Sequence, residues 1–384
     1  LANRMNTNRD TKVNKRKTGS GEYFDYSLLF ITIFMVGFGL VMLYSASSYE
    51  AAMEFGDSKY YLISQLKAVV IGVILMVVVI KLDYHIFKKP LIALAAYFGS
   101  ILMAMMVLTP IGVSANGASR WISLAGFSIQ VCEVVKIGVI VFMAFVIEKK
   151  AKKLKNIGTF LLCMVFIGIS AGVIALITKD LSSSIIVAGI GVVMLFVACP
   201  RISYFVIMIG AGVAAVAGAI MIEPFRFERI RVWLNPEKFA DEGGFQVLQS
   251  LYSLGSGGLF GKGLGNGIQK LGYVPEAQND MIFTVICEEL GVIGGIAVIL
   301  MFIFMIWRFM IVANNAPDLF GSMLVVGVMA HISIQTVMNI AVVTNSMPNT
   351  GVTLPFMSYG GSSILCLLIE IGIVLTVSKR IKFE

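Results

Sequence analysis

Apolar runs of about twenty residues, parted by short polar breaks, recur from residue 26 to residue 377. A run of that length crosses a hydrocarbon core of about 30 Å as a helix rising about 1.5 Å per residue. The pattern predicts ten spans, at 26–44, 62–80, 91–109, 129–147, 157–178, 182–199, 202–222, 282–306, 318–343 and 356–377. No strand-like alternation runs along the chain, which argues against a β-barrel. No fixed repeat period stands out either. The predicted fold class is all-α, a polytopic membrane protein with ten transmembrane helices.

The polar breaks set the organisation. Residues 1–22 are basic and rich in Asn, Thr and Gly, the composition of a disordered tail. Residues 23–384 read as one membrane domain with two long loops, 110–128 and 223–281. Ser45-Ala46-Ser47 faintly resembles a signal-peptidase site, but the preceding apolar core is too long for a cleaved signal and reads as a retained first helix. Within the second loop, "PFRFERIRVWLNP" mixes aromatic and basic residues as a segment lying on headgroups would. "FQVLQSLYSLG" places Gln246, Gln249, Ser250 and Ser253 on one helical face, predicting a short amphipathic helix. The glycine-dense "GSGGLFGKGLGNG" follows, expected to turn tightly and flexibly over one mouth of the bundle.

Composition sharpens this picture. Hydrophobic residues make up 58% of the 384 and charged residues 14%, as a membrane chain requires. A net charge of +8 would suit nucleic acid, but its placement says otherwise. With the N-terminus inside, the short inside segments and tails hold 19 of the 30 Lys and Arg residues. The short outside loops hold only Lys59, Arg120 and Lys179. That asymmetry predicts both termini in the cytoplasm and 223–281 outside. The charge is topological, and no nucleic-acid partner is expected. The five cysteines lie singly in the spans, so packing is their expected role.

Candidate chemistry lies where charge meets the membrane. Glu133 and Lys136 share one face of the fourth span, about 6–11 Å deep at 1.5 Å per residue. They form either a structural ion pair or the wall of a substrate cavity. Asp180 either caps the sixth helix or faces a cavity. Arg120, beside Trp121, either anchors at headgroups or contacts a phosphate. The glycine-rich loop fails as a P-loop because Gly263, not Ser or Thr, follows Lys262. It is a plain flexible loop, or its backbone N–H groups with Lys262 or Lys270 hold a diphosphate. His331 is expected to be satisfied by a neighbouring helix. "MPNTGVTLPFMSYGGSS" puts broken backbone before the last span, tolerated where it lines a cavity. In "YVPEAQNDMIFTVICEELG", Asp280, Thr284 and Glu288 fall at i, i+4 and i+8, with Asp280 at the boundary and Glu276 as its loop neighbour. Glu288 and Glu289 lie two turns deeper, where polar packing accounts for them as well as function does.

The stretch from Gly244 to Gly291, together with "LPFMSYGGSS", "GASRWI" and "IQVCEVVK", resembles the SEDS family (shape, elongation, division, sporulation) of bacterial peptidoglycan polymerases. The likeness covers all ten predicted spans. "GLGNGIQKLGYVPEAQND" is more similar to the FtsW/SpoVE branch than to RodA. The resemblance implies an inverting glycosyltransferase that polymerises lipid II on the outer face, with undecaprenyl diphosphate leaving. It puts the catalytic carboxylate at Asp280 and the cavity pair at Glu133 and Lys136. Arg120, Lys262, Lys270, Glu276, Gln249 and Ser362 are then candidate substrate contacts, and Asp180 and Glu288 structural or cavity residues. A divalent cation, Mg or Mn, is a candidate at the diphosphate. Implied partners are lipid II, undecaprenyl-linked glycan, a class B penicillin-binding protein and other division or sporulation membrane proteins. The implied location is the cell membrane at the division septum. The chain departs from the family pattern at Lys179-Asp180 and at Val131-Cys132, where Pro-Asp and Pro-Ser are usual. The rival readings are a lipid II flippase, an elongation polymerase of the RodA type, and a scaffold that recruits a synthase.

Overall fold

The computed structural model describes residues 23–115, 118–124, 127–222 and 224–382. The tail predicted at 1–22 lies outside them. Eight helices among the described residues are long and apolar enough to cross a membrane. They are α1 (Tyr26–Phe55), α2 (Tyr60–Lys81), α3 (Pro90–Met105, prolonged by a 3-10 turn to Leu108), α5 (Ile157–Ile177), α6 (Leu181–Ala198), α10 (Ile282–Asn314), α11 (Leu319–Val343) and α12 (Gly361–Ser378). Two more helices stand where the remaining spans are predicted, α4 (Val131–Lys150) and α7 (Ser203–Ile222). The chain is a multi-pass helical membrane protein.

Helix ends differ from the apolar runs where caps or backbone decide. The run predicted at 26–44 continues as helix to Phe55 and stops at Gly56, whose positive φ of 71° makes a left-handed cap. Ser45-Ala46-Ser47 therefore lies inside uninterrupted helix. The last helix begins at Gly361 rather than 356, because residues 355–359 are turns rather than helix. Asp25, Asn156, Asp180 and Asp318 each accept a backbone N–H two or three residues on and so cap α1, α5, α6 and α11. One end of the bundle is tied by ion pairs: Asp25–Arg308 at 2.8 Å, Lys88–Glu148 at 2.6 Å and Asp83–Arg380 at 2.9 Å.

The centre of the bundle is α4, α11 and α12. Within their most apolar windows 67% of α11 and 78% of α12 is buried, against 28–44% for the other six long apolar helices. Nearly every residue of α4 from Val131 to Ile147 is buried. This follows from its sequence, since a helix carrying Glu133 and Lys136 cannot turn that face to lipid. The outer helices expose the opposite chemistry, with Phe30 on α1, Leu91 on α3 and Ile207 on α7 each at least 70% exposed. Such surfaces suit hydrocarbon.

The 110–128 segment corrects the all-α expectation. It folds as a three-stranded antiparallel sheet in the order β1 (Gly112–Ala115), β2 (Ala118–Leu124), β3 (Phe127–Gln130). Strands this short carry too few alternations to stand out beside twenty-residue apolar runs. The sheet feeds directly into α4 and pairs Trp121 with Gln130. The long segment after α7 carries α8 (Pro224–Leu234) and α9 (Gly244–Ser256). The second matches the predicted amphipathic helix: Ser250 and Ser253 are buried, and donate to Val343 O at 3.0 Å and Thr284 O at 3.2 Å.

Candidate active site

Asp280 sits two residues before α10 and is 6% exposed. Its backbone carbonyl accepts the Asn339 amide from α11 at 2.7 Å, and the same amide donates to Val352 O at 2.8 Å. Next to it the Gln278 carbonyl accepts Tyr359 N at 2.8 Å. The segment joining α11 to α12 therefore fixes where Asp280 sits. Its Oδ1 is buried with no hydrogen-bond partner. Burial pushes its carboxyl up to about 7; Glu276 adds to the rise, while its own backbone N–H and Arg229 oppose it. A carboxyl poised near neutrality with a free oxygen has what a general base needs.

Two arginines and a second carboxylate complete the electrostatics. Arg120, on β2, stands 3.9 Å from Asp180 with its Nε buried and unpaired by a hydrogen bond. Asp180 also accepts Ser183 N at 3.0 Å and Ser183 Oγ at 2.8 Å. It thus caps α6 and meets Arg120 at once. Arg229, on α8, donates to Asn349 O at 2.9 Å. Burial pushes its guanidinium down and nearby Arg120 adds to that, with Asp280 and Asp180 opposing. Asp280, Asp180 and Arg120 each lie within electrostatic reach of Arg229, and Arg120 meets Asp180 directly. Ser182 of α6 donates to Thr350 O at 3.0 Å, and the buried Thr350 hydroxyl has no partner.

The structure places other sequence candidates elsewhere. Glu133 and Lys136 pair at 2.8 Å, 3% and 1% exposed. Lys136 Nζ also lies 2.9 Å from His331 Nε2 and donates to Gln335 Oε1 at 2.9 Å. His331 Nδ1 meets Glu370 Oε2 at 2.8 Å, and Gln335 Nε2 reaches Thr353 O at 3.0 Å. The pair is thus closed inside a polar network of α4, α11 and α12, and His331 is met by neighbouring helices. Glu276 is exposed, has a positive φ of 56° and accepts the Asn279 amide. Gln249 is half-buried, and Ser362 Oγ accepts Gln130 N at 3.2 Å, tying α12 to β3.

Lys262 and Lys270 hold carboxylates of the chain itself. Lys262 pairs with Glu288 at 2.6 Å and Lys270 with Glu289 at 2.6 Å. Backbone N–H groups of Ile268 and Gln269 point at Glu288 and that of Gly265 at Glu289, while Ser45 of α1 donates to Glu289 at 2.7 Å. An anion cradle does form, and its anions are Glu288 and Glu289. Glu288 therefore turns to this loop rather than sharing a helical face with Asp280, which precedes the helix.

The loop is also fixed through its backbone, which corrects the flexible reading. Gly291, with φ 71° and ψ −171°, breaks α10 and frees groups the helix would pair. Lys262 N donates to Glu288 O at 3.0 Å and Gly263 N to Glu289 O at 2.9 Å. In return Val292 N donates to Gly258 O at 2.9 Å and Ile293 N to Leu259 O at 3.3 Å. A Cβ on Gly261 would lie 2.1 Å from Glu289 O, so the close approach requires glycine there.

Arg229, Asn339, Gln335 and Glu370 are absent from the sequence candidates. The last three are polar residues inside apolar runs, a signal that marks functional or paired positions by default. Arg229 is hidden in a run whose several arginines look alike until one turns inward.

Many long apolar helices around a polar core, with a buried carboxyl whose Oδ1 is unpaired near Arg229, define a polytopic membrane protein with a polar site at the head of α10. The chain belongs to the FtsW/RodA/SpoVE family, whose profile, described as "Cell cycle protein", matches residues 26–382. It is 38% identical over 361 residues to Stage V sporulation protein E of Bacillus subtilis, covering 94% of this chain and 98% of that one. It is 40% identical over 364 residues to a probable peptidoglycan glycosyltransferase FtsW of Trichlorobacter lovleyi, covering 94% of each. The fold is shared with the rod shape determining protein RodA of Thermus thermophilus, at TM-score 0.69, 24% identity and coverage of 94% and 98%. It is also shared with a chain from a structure titled for coordination of polymerization and crosslinking by a peptidoglycan synthase complex, at TM-score 0.79, 24% identity and coverage of 94% and 99%.

Proposed function

We propose that this chain is a peptidoglycan glycosyltransferase of the FtsW/SpoVE type, with Asp280 as its general base. The observation that carries the reading is the buried Asp280 carboxyl near pKa 7, its Oδ1 unpaired, in a chain 40% identical over almost its whole length to a relative bearing that name. Asp280 takes the proton from the 4-hydroxyl of an acceptor N-acetylglucosamine as that oxygen bonds to the anomeric carbon of a donor N-acetylmuramic acid. The bond to undecaprenyl diphosphate breaks, with inversion. The leaving diphosphate meets Arg120 and Arg229, the cations grouped with Asp280. Lys136, Lys262 and Lys270 keep their internal partners and act through the scaffold.

Transport of lipid II is the less favoured reading, since the FtsW relatives carry the name of a transferase. Among the described residues no three His, Cys, Asp or Glu gather into a cage, so a divalent cation would rest mainly on the diphosphate oxygens, with Asp180 as a candidate ligand from the chain. Ten spans, with α4 and α7 among them, both termini in the cytoplasm and 223–281 outside complete the topology. A class B penicillin-binding protein is the partner, crosslinking the product, and the septum is the site of action.

Polymerisation of lipid II by the purified chain with such a partner tests this directly. Asp280→Asn is expected to abolish product while the protein still elutes as a folded species. Glycan made at the parent rate by that variant would remove Asp280 as base.

A further inference from the structure

Asp280 has a second charged neighbourhood, on α1 and α2, that the reaction above leaves unused. Glu50 and Glu54 stand at i and i+4 on α1. Glu54 and Glu276 both lie within electrostatic reach of Glu50, and the Gln278 side-chain amide donates to Glu50. Glu276 is in turn within electrostatic reach of Asp280. Gln278 precedes Asp280 by two residues and is 2% exposed, yet its Oε1 has no hydrogen-bond partner.

The charges here are not balanced within the chain. Glu133, Glu288 and Glu289 each hold a lysine at 2.6–2.8 Å. None of Glu50, Glu54 and Glu276 takes part in an ion pair among the described residues. Like charges at i and i+4 cost a helix about 0.2–0.5 kcal/mol, so the arrangement is a burden on the free chain. An aromatic wall adjoins it. Tyr61 of α2 donates its hydroxyl to Glu54 at 3.1 Å and meets the Tyr359 ring edge-on, with centroids 4.9 Å apart. Tyr359 N donates to Gln278 O at 2.8 Å, which holds the wall against the same segment.

This chemistry selects a ligand class. Carboxylates and a free amide oxygen only accept hydrogen bonds, so the ligand brings donors and positive charge. A metal ion needs its ligands converged on one point, and no three carboxylates gather so among the described residues. An alkylammonium head carries three donors, accepts carboxylates spread around it, and is also attracted to tyrosine rings. The proposed substrate carries such a group. A crosslinking transpeptidase joins an acyl group to an amine, so the peptide of the precursor presents a free one.

We propose that Glu50, Glu54 and the unpaired Gln278 oxygen form a subsite for the primary amine on the peptide of lipid II. The proposal rests on the glycan-polymerising reading and adds a specificity element to it. The diphosphate is drawn to arginines on β2 and α8 and the amine to carboxylates on α1, so opposite charges of the precursor go to different elements around Asp280.

The test is calorimetric titration of the full chain in nanodiscs. Its probes are the disaccharide–pentapeptide without lipid or diphosphate, bearing a free lysine amine, and the same molecule with that amine acetylated. The free amine is expected to bind about tenfold more tightly, equivalent to about 1.4 kcal/mol. Glu50→Gln and, separately, Glu54→Gln should shrink that preference while leaving the Kd of the acetylated probe and the thermal midpoint unchanged. Glu54 is exposed, so its variant tests the idea without risk to folding. Equal Kd values for the two probes overturn the subsite, as does no saturable binding of either, or a preference that both variants leave intact. The polymerisation assay on the parent chain separates the two ideas. Polymer without an amine preference sinks the subsite and leaves the proposed function, whereas an amine preference without polymer does the reverse.

Discussion

Asp280, the proposed base, has a carboxyl that can take and release a proton near neutral pH. With its carboxyl near pKa 7, the polymerisation rate is expected to rise with pH through about 7 as the carboxylate forms. A rate flat from pH 5 to 9 would rule out Asp280 as the titrating base. The same burial has a consequence for stability whose sign is fixed. Between the ordinary value of 3.8 and about 7 the folded chain binds more protons at Asp280 than the unfolded one, so stability falls as pH rises through that window. Asp280→Asn is therefore expected to melt higher than the parent at pH 8 and alike near pH 4, read by thermal unfolding. A lower melt at pH 8 would mean the carboxylate is stabilised in the fold by a contact not seen here. As a candidate, Asp280 was legible in the sequence from its place at the head of an apolar run and from the family resemblance, although a helix N-terminus favours carboxylates in any case, as at Asp25, Asp180 and Asp318. The role of Arg229 was not, since exposure, not residue type, distinguishes it from Arg231.

At the scale of elements, α10 is two helical pieces joined at Gly291, with residues 258–263 laid into the break. Ala at 291 has to adopt a φ/ψ pair open essentially to glycine, at about 1–3 kcal/mol. Its Cβ would also lie 2.3 Å from Leu259 O. Gly291→Ala and Gly261→Ala are both expected to lower the thermal midpoint sharply. Gly37→Ala in α1, where a Cβ meets nothing within 4 Å, should leave it unchanged or raise it. Equal effects at all three positions would mean the inlaid loop contributes nothing. The glycine density of this loop was plain in the sequence, as was the helix α9 before it. Its docking was not, because a break inside an apolar run leaves hydrophobicity unchanged and the partner lies some thirty residues away. The small β-sheet was missed for a related reason: strands of four and seven residues carry too little pattern.

For the molecule as a whole, length and hydropathy announced most helices, while the pairing of helices stayed hidden. Nothing in the spacing of Glu133 and Lys136 says that His331 and Glu370 stand across from them. That information arises only when α4, α11 and α12 come together. Lys136→Met leaves Glu133 without its cation, and removing one partner from a buried pair costs about 3–5 kcal/mol. Loss of folded protein is expected in a detergent stability assay, and a variant as stable as the parent would show the pair to be dispensable. The basic asymmetry gives a topology that can be read directly. Cysteines placed at exposed Lys59 and Lys153 should react with a membrane-impermeant maleimide from opposite faces, the native cysteines being buried. Labelling of both from one face would overturn the ten-span arrangement.

The broken α10 also bears on how the protein is made. Residues 258–263 leave the ribosome before 288–293, so the filler exists before the gap it fills. Until the two meet, Glu288 and Glu289 present carbonyls, and Val292 and Ile293 present amides, that lipid cannot satisfy. The N-terminal piece of α10 therefore cannot settle into the bilayer as an independent segment. It has to arrive together with the loop that precedes it, and the stretch bearing Asp280 is carried into place between them in the same event.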